Sequence, residues 1–186
     1  PLNVDSIMQV VNALAPGNHA AKASIDIALH DLYGKLEGKP LWEIWGIDPE
    51  KTPCTSYTIG YDANDSIVLV KVREADWAKI LKVKLGRGEA EDKRMITLIR
   101  SLSDKPIYVD ANQGWPTKEH ALMMCQWLAE QGVVMIEQPM PKHMDEEHAW
   151  LCEQVELPIL ADEACQTYDD VARLAPYYDG INIKLM

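Results

Sequence analysis

The hydrophobic pattern of this chain changes near residue 50. Before that point apolar residues recur at helical spacing, and a helix over residues 18–38 would carry them on one face: Ala21, Ile25, Ala28, Leu29 and Leu32. The pattern predicts an earlier helix over residues 5–14, closed by the Pro-Gly pair at 16–17, and a short third helix over residues 40–45. We therefore expect residues 1–50 to be mostly helical.

From residue 51 onward, short apolar runs alternate with stretches of helical periodicity. Six runs are typical of β-strands: TSYTIG, ILKVKLG, PIYVDAN, VVMIEQP, PILADEA and GINIKLM. The five stretches between them predict helices, as in DKRMITLIRSL and TKEHALMMCQWLAEQG. This alternation predicts parallel strands, in either an open doubly wound sheet or a (β/α) barrel. No glycine-rich phosphate loop follows the first strand, which weakens the nucleotide-binding form of the open sheet.

Composition narrows the classes of function. The 186 residues are 47% hydrophobic, which fits a folded globular protein, and the net charge of −11 argues against binding nucleic acid or an anionic membrane. No apolar stretch approaches the roughly 20 residues of a membrane helix, and the first residues lack the pattern of a signal peptide. The four cysteines are widely spaced, which favours reduced thiols. We expect a cytoplasmic protein that acts on a small molecule.

Charged residues stand at or near the carboxyl ends of five of the six predicted strands, where a buried parallel strand should be apolar. They are Lys82 with Lys84, Asp110, Glu137, Asp162 with Glu163, and Lys184. From Lys84 to Lys184 the successive spacings are 26, 27, 25 and 22 residues, about one strand–helix unit each. A single aspartate in such a place is usually a helix cap or a turn residue. Five positions in register instead indicate a site at the C-terminal rim of a barrel.

The acidic members of this set predict a metal site. Asp110, Glu137 and Asp162 would repel one another if they were crowded together, and a divalent cation removes that conflict. Ligands that are all oxygen favour a hard ion, Mg²⁺ in preference to Zn²⁺. The five histidines contain no His-x-His pair and lie away from the predicted strand ends, so we expect them on the surface or at helix caps.

The basic members predict proton chemistry. Lys84 lies beside Lys82 and would face the metal, which would lower its pKa and allow it to act as a base. Lys184 would lie on the opposite side. Two acid/base groups on opposite faces of one carbon suit a racemase or an epimerase, in which the metal stabilises the enolate formed when the α-proton leaves.

The motifs LKVKLG, VDANQGW, IEQPMP, LADEA and NIKL together resemble the enolase superfamily in its muconate-cycloisomerase-like subgroup, and most closely its dipeptide epimerases of the L-Ala-D/L-Glu type. The resemblance implies an α/β fold with a (β/α) TIM-type barrel. Residues 51–186 would supply barrel strands 1 to 6, and residues 1–50 the last helices of an N-terminal α+β capping domain. We also expect the chain to be part of a longer protein, because that family has eight barrel strands.

The resemblance assigns roles to the charged residues. It implies that Mg²⁺ is bound by Asp110, Glu137 and Asp162, and that Lys84 and Lys184 are the acid/base catalysts. Lys82 would lower the pKa of Lys84 and contact the substrate carboxylate.

The resemblance also extends to three polar residues. Thr58, in the first barrel strand, would contact the substrate. Asn112 and Glu163 would contact the metal ligands without binding the metal themselves, or else make local turn or cap hydrogen bonds.

The function that the resemblance implies is Mg²⁺-dependent epimerisation of a dipeptide, by an isomerase that forms a homo-oligomer. Cycloisomerisation, or dehydration as in o-succinylbenzoate synthase, would use the same metal ligands and both lysines, so these activities stay as alternatives. A non-catalytic fragment is a third alternative, because a six-stranded open barrel exposes two strand edges.

Overall fold

A computed structural model describes residues 2–184 of the chain, which form two compact units by their internal contacts. The first unit contains residues 2–53 and Lys184. It is helical, as its sequence predicts: α1 spans Val4–Leu14, α2 spans His19–Glu37, α3 spans Leu41–Ile44, and a 3₁₀ turn covers Pro49–Lys51. The side chain of Asn3 caps α1 by accepting a hydrogen bond from the Ser6 amide.

The second unit, residues 54–183, alternates strands with helices. Its strands are β1 (Ser56–Ile59), β2 (Ile80–Lys84), β3 (Ile107–Asp110), β4 (Val133–Glu137), β5 (Ile159–Ala161) and β6 (Gly180–Ile181). Its helices are α4 (Asp65–Glu74), α5 (Glu89–Arg100), α6 (Lys118–Glu130), α7 (Asp145–Gln154) and α8 (Tyr168–Leu174). No helix within residues 2–184 is long and apolar enough to cross a membrane.

The order of the strands decides between the two parallel architectures. The six strands pair in the order of the chain, β1 to β6, and every pairing is parallel. A doubly wound sheet reverses its strand order at a switch point, whereas a barrel adds each strand beside the last. The structure therefore confirms the barrel prediction. The final run, GINIKLM, pairs only through Gly180–Ile181, and its last two residues lie outside the described part of the chain.

The hydrophobic core fixes which face of each strand carries the polar residues. Val83, Val109 and Ile136 are partners in register across β2, β3 and β4, and all three are fully buried. They belong to one apolar cluster with helix residues such as Ile99 and Leu128. Because side chains alternate along a strand, the next residue on each strand points to the opposite face. Burying each of these side chains contributes about 1.5–3 kcal/mol, so this alternation is strongly fixed.

Two loops at the carboxyl ends of the strands approach each other through their backbones. Gly86 follows β2 with a φ of +87°, and Gly114 follows β3. A Cβ atom placed on Gly114 would lie 2.2 Å from the Cα atom of Gly86. Real Cβ atoms do not approach backbone so closely, so only glycine fits there.

We expect Gly114→Ala to lower the free energy of unfolding by about 2 kcal/mol, because the two backbones must separate to admit the methyl group. Urea unfolding followed by circular dichroism measures this change. Gly60→Ala is the matched control, since a Cβ atom at Gly60 meets nothing within 4 Å and its φ is not positive. Equal unfolding midpoints for the two variants would contradict the packing argument.

Candidate active site

Three of the predicted site residues form a row across the carboxyl ends of neighbouring strands. Lys84 pairs in register with Asp110, and Asp110 pairs with Glu137. The backbone partner of Glu137 on β5 is Leu160, so Asp162 lies two residues further along on the same face. Such a stagger between strands is the geometry of a barrel. The nearly equal spacing in the sequence therefore predicts the correct face of the sheet. At β5, however, the acidic residue lies two positions beyond the register partner of Glu137.

The three acidic side chains meet in a buried cluster. Asp110, Glu137 and Asp162 are only 1%, 2% and 4% exposed, and each offers a carboxylate oxygen within 4.8 Å of the others. Burial raises the pKa of Glu137 to about 7, and the neighbouring carboxyl groups act in the same direction. The fold thus concentrates negative charge where water is largely excluded.

Two lysines bring positive charge to this cluster. The Lys82 Nζ atom lies 2.7 Å from Glu137 Oε2 and 3.1 Å from Asp110 Oδ2. Lys84 Nζ lies 3.1 Å from the same Asp110 oxygen. Burial lowers the pKa of Lys82, but the hydrogen bond to Glu137 and the charge of Asp110 outweigh burial and raise it above its ordinary value. The Lys82 side chain is 13% exposed and the Lys84 side chain 47%, so Lys84 is the more accessible of the two lysines.

Asn112 and Glu163 lie beside the cluster. The Asn112 backbone amide donates to Asp110 Oδ1 at 3.1 Å, which is the local turn bond. Its side chain accepts from Lys84 Nζ at 3.3 Å and donates to Glu163 Oε1 at 3.5 Å, so it also connects the site residues. These contacts are compatible with both interpretations of Asn112, and its role stays a prediction. The other carboxylate oxygen of Glu163 is buried and has no hydrogen-bond partner among the described residues.

For Thr58 and Lys184 we describe only the position in the fold and the exposure. Thr58 is the register partner of Lys82 on β1 and is exposed. Lys184 is exposed, follows β6 by three residues in the chain, and groups by its contacts with the first unit. The predicted roles of both residues stay predictions.

Sequence reasoning missed two polar residues that contact or support the site. Asn182, one residue after β6, donates from Nδ2 to Glu137 Oε1 at 3.0 Å. Asp92, in the first turn of α5, is buried and accepts hydrogen bonds from the amides of Gly86 and Arg87 and from Trp115 Nε1, at 3.0–3.1 Å. It thereby ties together the loops after β2 and β3. Its position at a helix start gave no signal beyond an ordinary first-turn acid.

The expectation that every histidine lies on the surface or at a cap is wrong for His148. This residue of α7 is fully buried. Its Nδ1 atom lies 2.7 Å from the Met144 carbonyl, and its Nε2 atom lies 3.4 Å from the Met140 amide. A carbonyl can only accept, so Nδ1 carries the proton and Nε2 accepts. Burial lowers the pKa of His148, which agrees with a neutral ring.

The donor set of the acidic cluster fits a hard divalent cation. All three side chains offer carboxylate oxygens, and these are the ligands that Mg²⁺ prefers in proteins. The cluster can therefore bind a cation through oxygen ligands, and the accessible amino group of Lys84 lies beside it.

Comparison with known proteins agrees with this geometry. The family described as enolase C-terminal domain-like matches residues 68–186, and the N-terminal domain of the mandelate racemase / muconate lactonizing enzyme family matches residues 1–46. The chain is 53% identical to an L-Ala-D/L-Glu epimerase of Bacteroides thetaiotaomicron, covering all of this chain and 48% of that protein. It is 39% identical to an L-Ala-D/L-amino acid epimerase of Pedosphaera parvula, covering 98% and 53%. The chain thus spans about half the length of these relatives.

Solved structures give the same result. A dipeptide epimerase from Enterococcus faecalis superposes with a TM-score of 0.87 at 33% identity, over 99% of this chain and 54% of that one. A dipeptide epimerase from Cytophaga hutchinsonii, crystallised with Mg and the dipeptide D-Ala-L-Val, gives 0.85 at 28% identity, over 99% and 51%. The fold and the site define a (β/α)-barrel domain with a carboxylate cluster at its C-terminal rim. The chain belongs to the enolase superfamily, as its motifs predict.

We expect Lys82→Met to lower the free energy of unfolding by about 3 kcal/mol in EDTA, because it leaves the buried Glu137 carboxylate without its ammonium partner and leaves Asp110 with Lys84 alone. Thermal and urea unfolding measure the loss. Lys93→Met is the control, since Lys93 pairs with Glu89 one turn away on α5, where both side chains are much more exposed than Lys82 and Glu137, and should matter much less. A similar small loss in both variants would show that Lys82 does not stabilise the cluster.

A second expectation concerns pH. The folded protein holds His148 neutral, whereas the unfolded chain protonates it below a pH of about 6.5. The contribution of His148 to stability is therefore present above that pH and lost as the pH falls. Compared with wild type, His148→Asn should lose less stability between pH 7 and pH 5, with a slope smaller by at most about 1.4 kcal/mol per pH unit. Parallel pH profiles would contradict the neutral assignment.

Proposed function

We propose that the whole protein is an Mg²⁺-dependent dipeptide epimerase, an isomerase that inverts the α-carbon of the C-terminal residue of a dipeptide of the L-Ala-D/L-Glu type. The observation that carries the proposal is the position of Lys84, whose Nζ atom is accessible and lies 3.1 Å from the buried carboxylate cluster. The 53% identity to an L-Ala-D/L-Glu epimerase supports the same substrate class.

Asp110, Glu137 and Asp162 are the residues that would hold Mg²⁺. When bound, the cation supplies positive charge that offsets the charge developing on the substrate carboxylate. Asn182 holds one oxygen of Glu137, and the backbone amide of Asn112 holds one oxygen of Asp110, so both carboxylates are oriented before any ligand arrives.

In the proposed reaction, neutral Lys84 Nζ takes the α-hydrogen as a proton, and the C–H electron pair moves into the substrate carboxylate to give an enolate. The ammonium group of Lys184 then returns a proton to the opposite face, and the electron pair re-forms a C–H bond. The two lysines exchange roles in the reverse direction. Net proton count and charge are unchanged, as an epimerisation requires.

The remaining assignments follow from this proposal. Lys82 contacts the substrate carboxylate and modulates Lys84, Thr58 contacts the substrate, and Glu163 supports the ligands with Asn112. Residues 1–50 belong to the capping domain and residues 51–186 to the barrel. The free thiols of the chain support a cytoplasmic location. Homo-oligomerisation stays a prediction.

A cycloisomerase is the second candidate. A muconate lactonizing enzyme superposes with a TM-score of 0.84 at 27% identity, which is nearly as close in fold as the epimerases. The higher sequence identity to epimerases favours epimerisation. Conversion of a muconate but not of any dipeptide would reverse this order.

We expect proton NMR in D₂O to show loss of the glutamate α-proton of L-Ala-L-Glu and appearance of the other epimer, with Mg²⁺ but not in EDTA. Lys84→Ala and Lys184→Ala should each lower epimerisation by about 10²–10⁴-fold or more, since each removes one acid/base group. Either variant should still exchange the α-proton of one epimer through the lysine that remains.

Lys79→Ala is the control for these variants, because Lys79 is exposed and immediately precedes β2 at the end opposite the site. It should turn over like wild type. Full turnover by Lys84→Ala or Lys184→Ala would exclude the two-base mechanism.

A further inference from the structure

The residue that follows Glu137 has an unusual conformation and environment. Gln138 follows β4 and has a φ of +39°, in the left-handed region that residues other than glycine rarely adopt. It is also fully buried. A polar residue in such a position is retained only where its surroundings hold it, so its contacts are informative.

The side-chain amide of Gln138 has partners at both ends. Its Oε1 atom accepts hydrogen bonds from the backbone amides of Asp162 and Ala164, at 3.0 and 3.1 Å. Its Nε2 atom donates to the Met140 carbonyl at 3.2 Å and to the Tyr178 hydroxyl at 3.0 Å. Two N–H donors face the oxygen and a carbonyl faces the nitrogen, so only one orientation of the amide satisfies the contacts.

These bonds continue the pairing of β4 and β5 past the end of the strands. The last backbone bond between them runs from the Gln138 amide to the Leu160 carbonyl, at 2.8 Å. Beyond it, the Gln138 side chain bonds the backbone on both sides of Glu163. From the other neighbour, the Asn182 amide donates to the Ala161 carbonyl at 2.7 Å. The backbone around Asp162 is therefore held from β4 and from β6.

α7 and the loop before β6 support the amide in turn. His148 Nε2 lies 3.4 Å from Gln138 Nε2, beside the two N–H groups that donate to Met140 and Tyr178. The rings of His148 and Tyr178 pack with centroids 4.6 Å apart. Both residues are buried, so the amide of Gln138 has no water to replace a lost partner.

We propose that Gln138 is a positioning residue that places the main chain of Asp162 so that its carboxylate completes the cation site with Asp110 and Glu137. This inference rests on the metal site of the proposed function but not on the reaction performed there. Gln138 does not itself offer an atom to the cluster, because both ends of its amide are already engaged.

The test is the affinity for Mn²⁺, measured by titration calorimetry on the whole protein without any dipeptide. Gln138→Asn keeps an amide and tolerates a positive φ, but it is one methylene too short to reach both backbone amides. We expect it to bind Mn²⁺ about 10–100-fold more weakly than wild type. Gln126→Asn is the matched control, since it makes the same substitution at an exposed glutamine of α6. Its affinity should change by less than about threefold.

Hydrogen exchange without metal gives a second readout. The amides of Asp162 and Ala164 should be protected in wild type and should exchange at least about 10-fold faster in Gln138→Asn. Gln138→Glu should keep them protected, because its carboxyl group still offers an oxygen that can accept from both backbone amides.

Wild-type affinity and wild-type exchange in a folded Gln138→Asn would overturn the proposal. So would unprotected amides at Asp162 and Ala164 in wild type, a result that needs no variant to fold. A wild-type protein that binds Mn²⁺, loses affinity in Gln138→Asn and yet epimerises no dipeptide would refute only the proposed function. A wild-type protein without affinity for Mn²⁺ would overturn both.

Discussion

The mutual repulsion of three buried carboxylates is the constraint around which the barrel unit is arranged. Asp110, Glu137 and Asp162 are almost free of solvent, and their charges tolerate such burial only with close positive partners. In the protein alone, Lys82 and Lys84 supply that partner, and both reach the same oxygen of Asp110. The two lysines therefore balance part of the charge that a bound cation would balance.

The apolar side of the same strands makes this arrangement possible. The buried row of Val83, Val109 and Ile136 locks the register between β2, β3 and β4. A slip of one residue would turn every polar side chain towards the helices and every apolar one towards the rim. Placement of the charged groups thus depends on hydrophobic packing on the other side of the sheet, and stability and chemistry are coupled through strand alternation.

The sequence predicts those features of this arrangement that repeat at a regular interval along the chain. Alternating strands and helices predict a parallel sheet, and charges about one unit apart predict the shared rim of a barrel, because both signals repeat along the chain. The residues that hold the site residues in place do not repeat in this way. Gln138 binds backbone 24 and 26 residues away, and Asn182 reaches Glu137 across 45 residues. Their side chains look like ordinary turn and strand residues until the fold brings the partners together. The burial of His148 was missed for the same reason, because two of the residues that it contacts, Gln138 and Tyr178, are distant in the sequence.

The contact between Gly86 and Gly114 has a consequence for how such sequences can diverge. A Cβ atom at either position would meet backbone atoms of the opposite loop, so the obstacle is not a side chain that a second substitution could shorten. No compensating exchange is open to the pair, unlike two core residues that can trade volume. Neither position can therefore accept a residue other than glycine as long as the loops after β2 and β3 keep this backbone conformation. Laboratory evolution of this barrel should leave these two glycines untouched even where the surrounding rim is rebuilt for a new substrate.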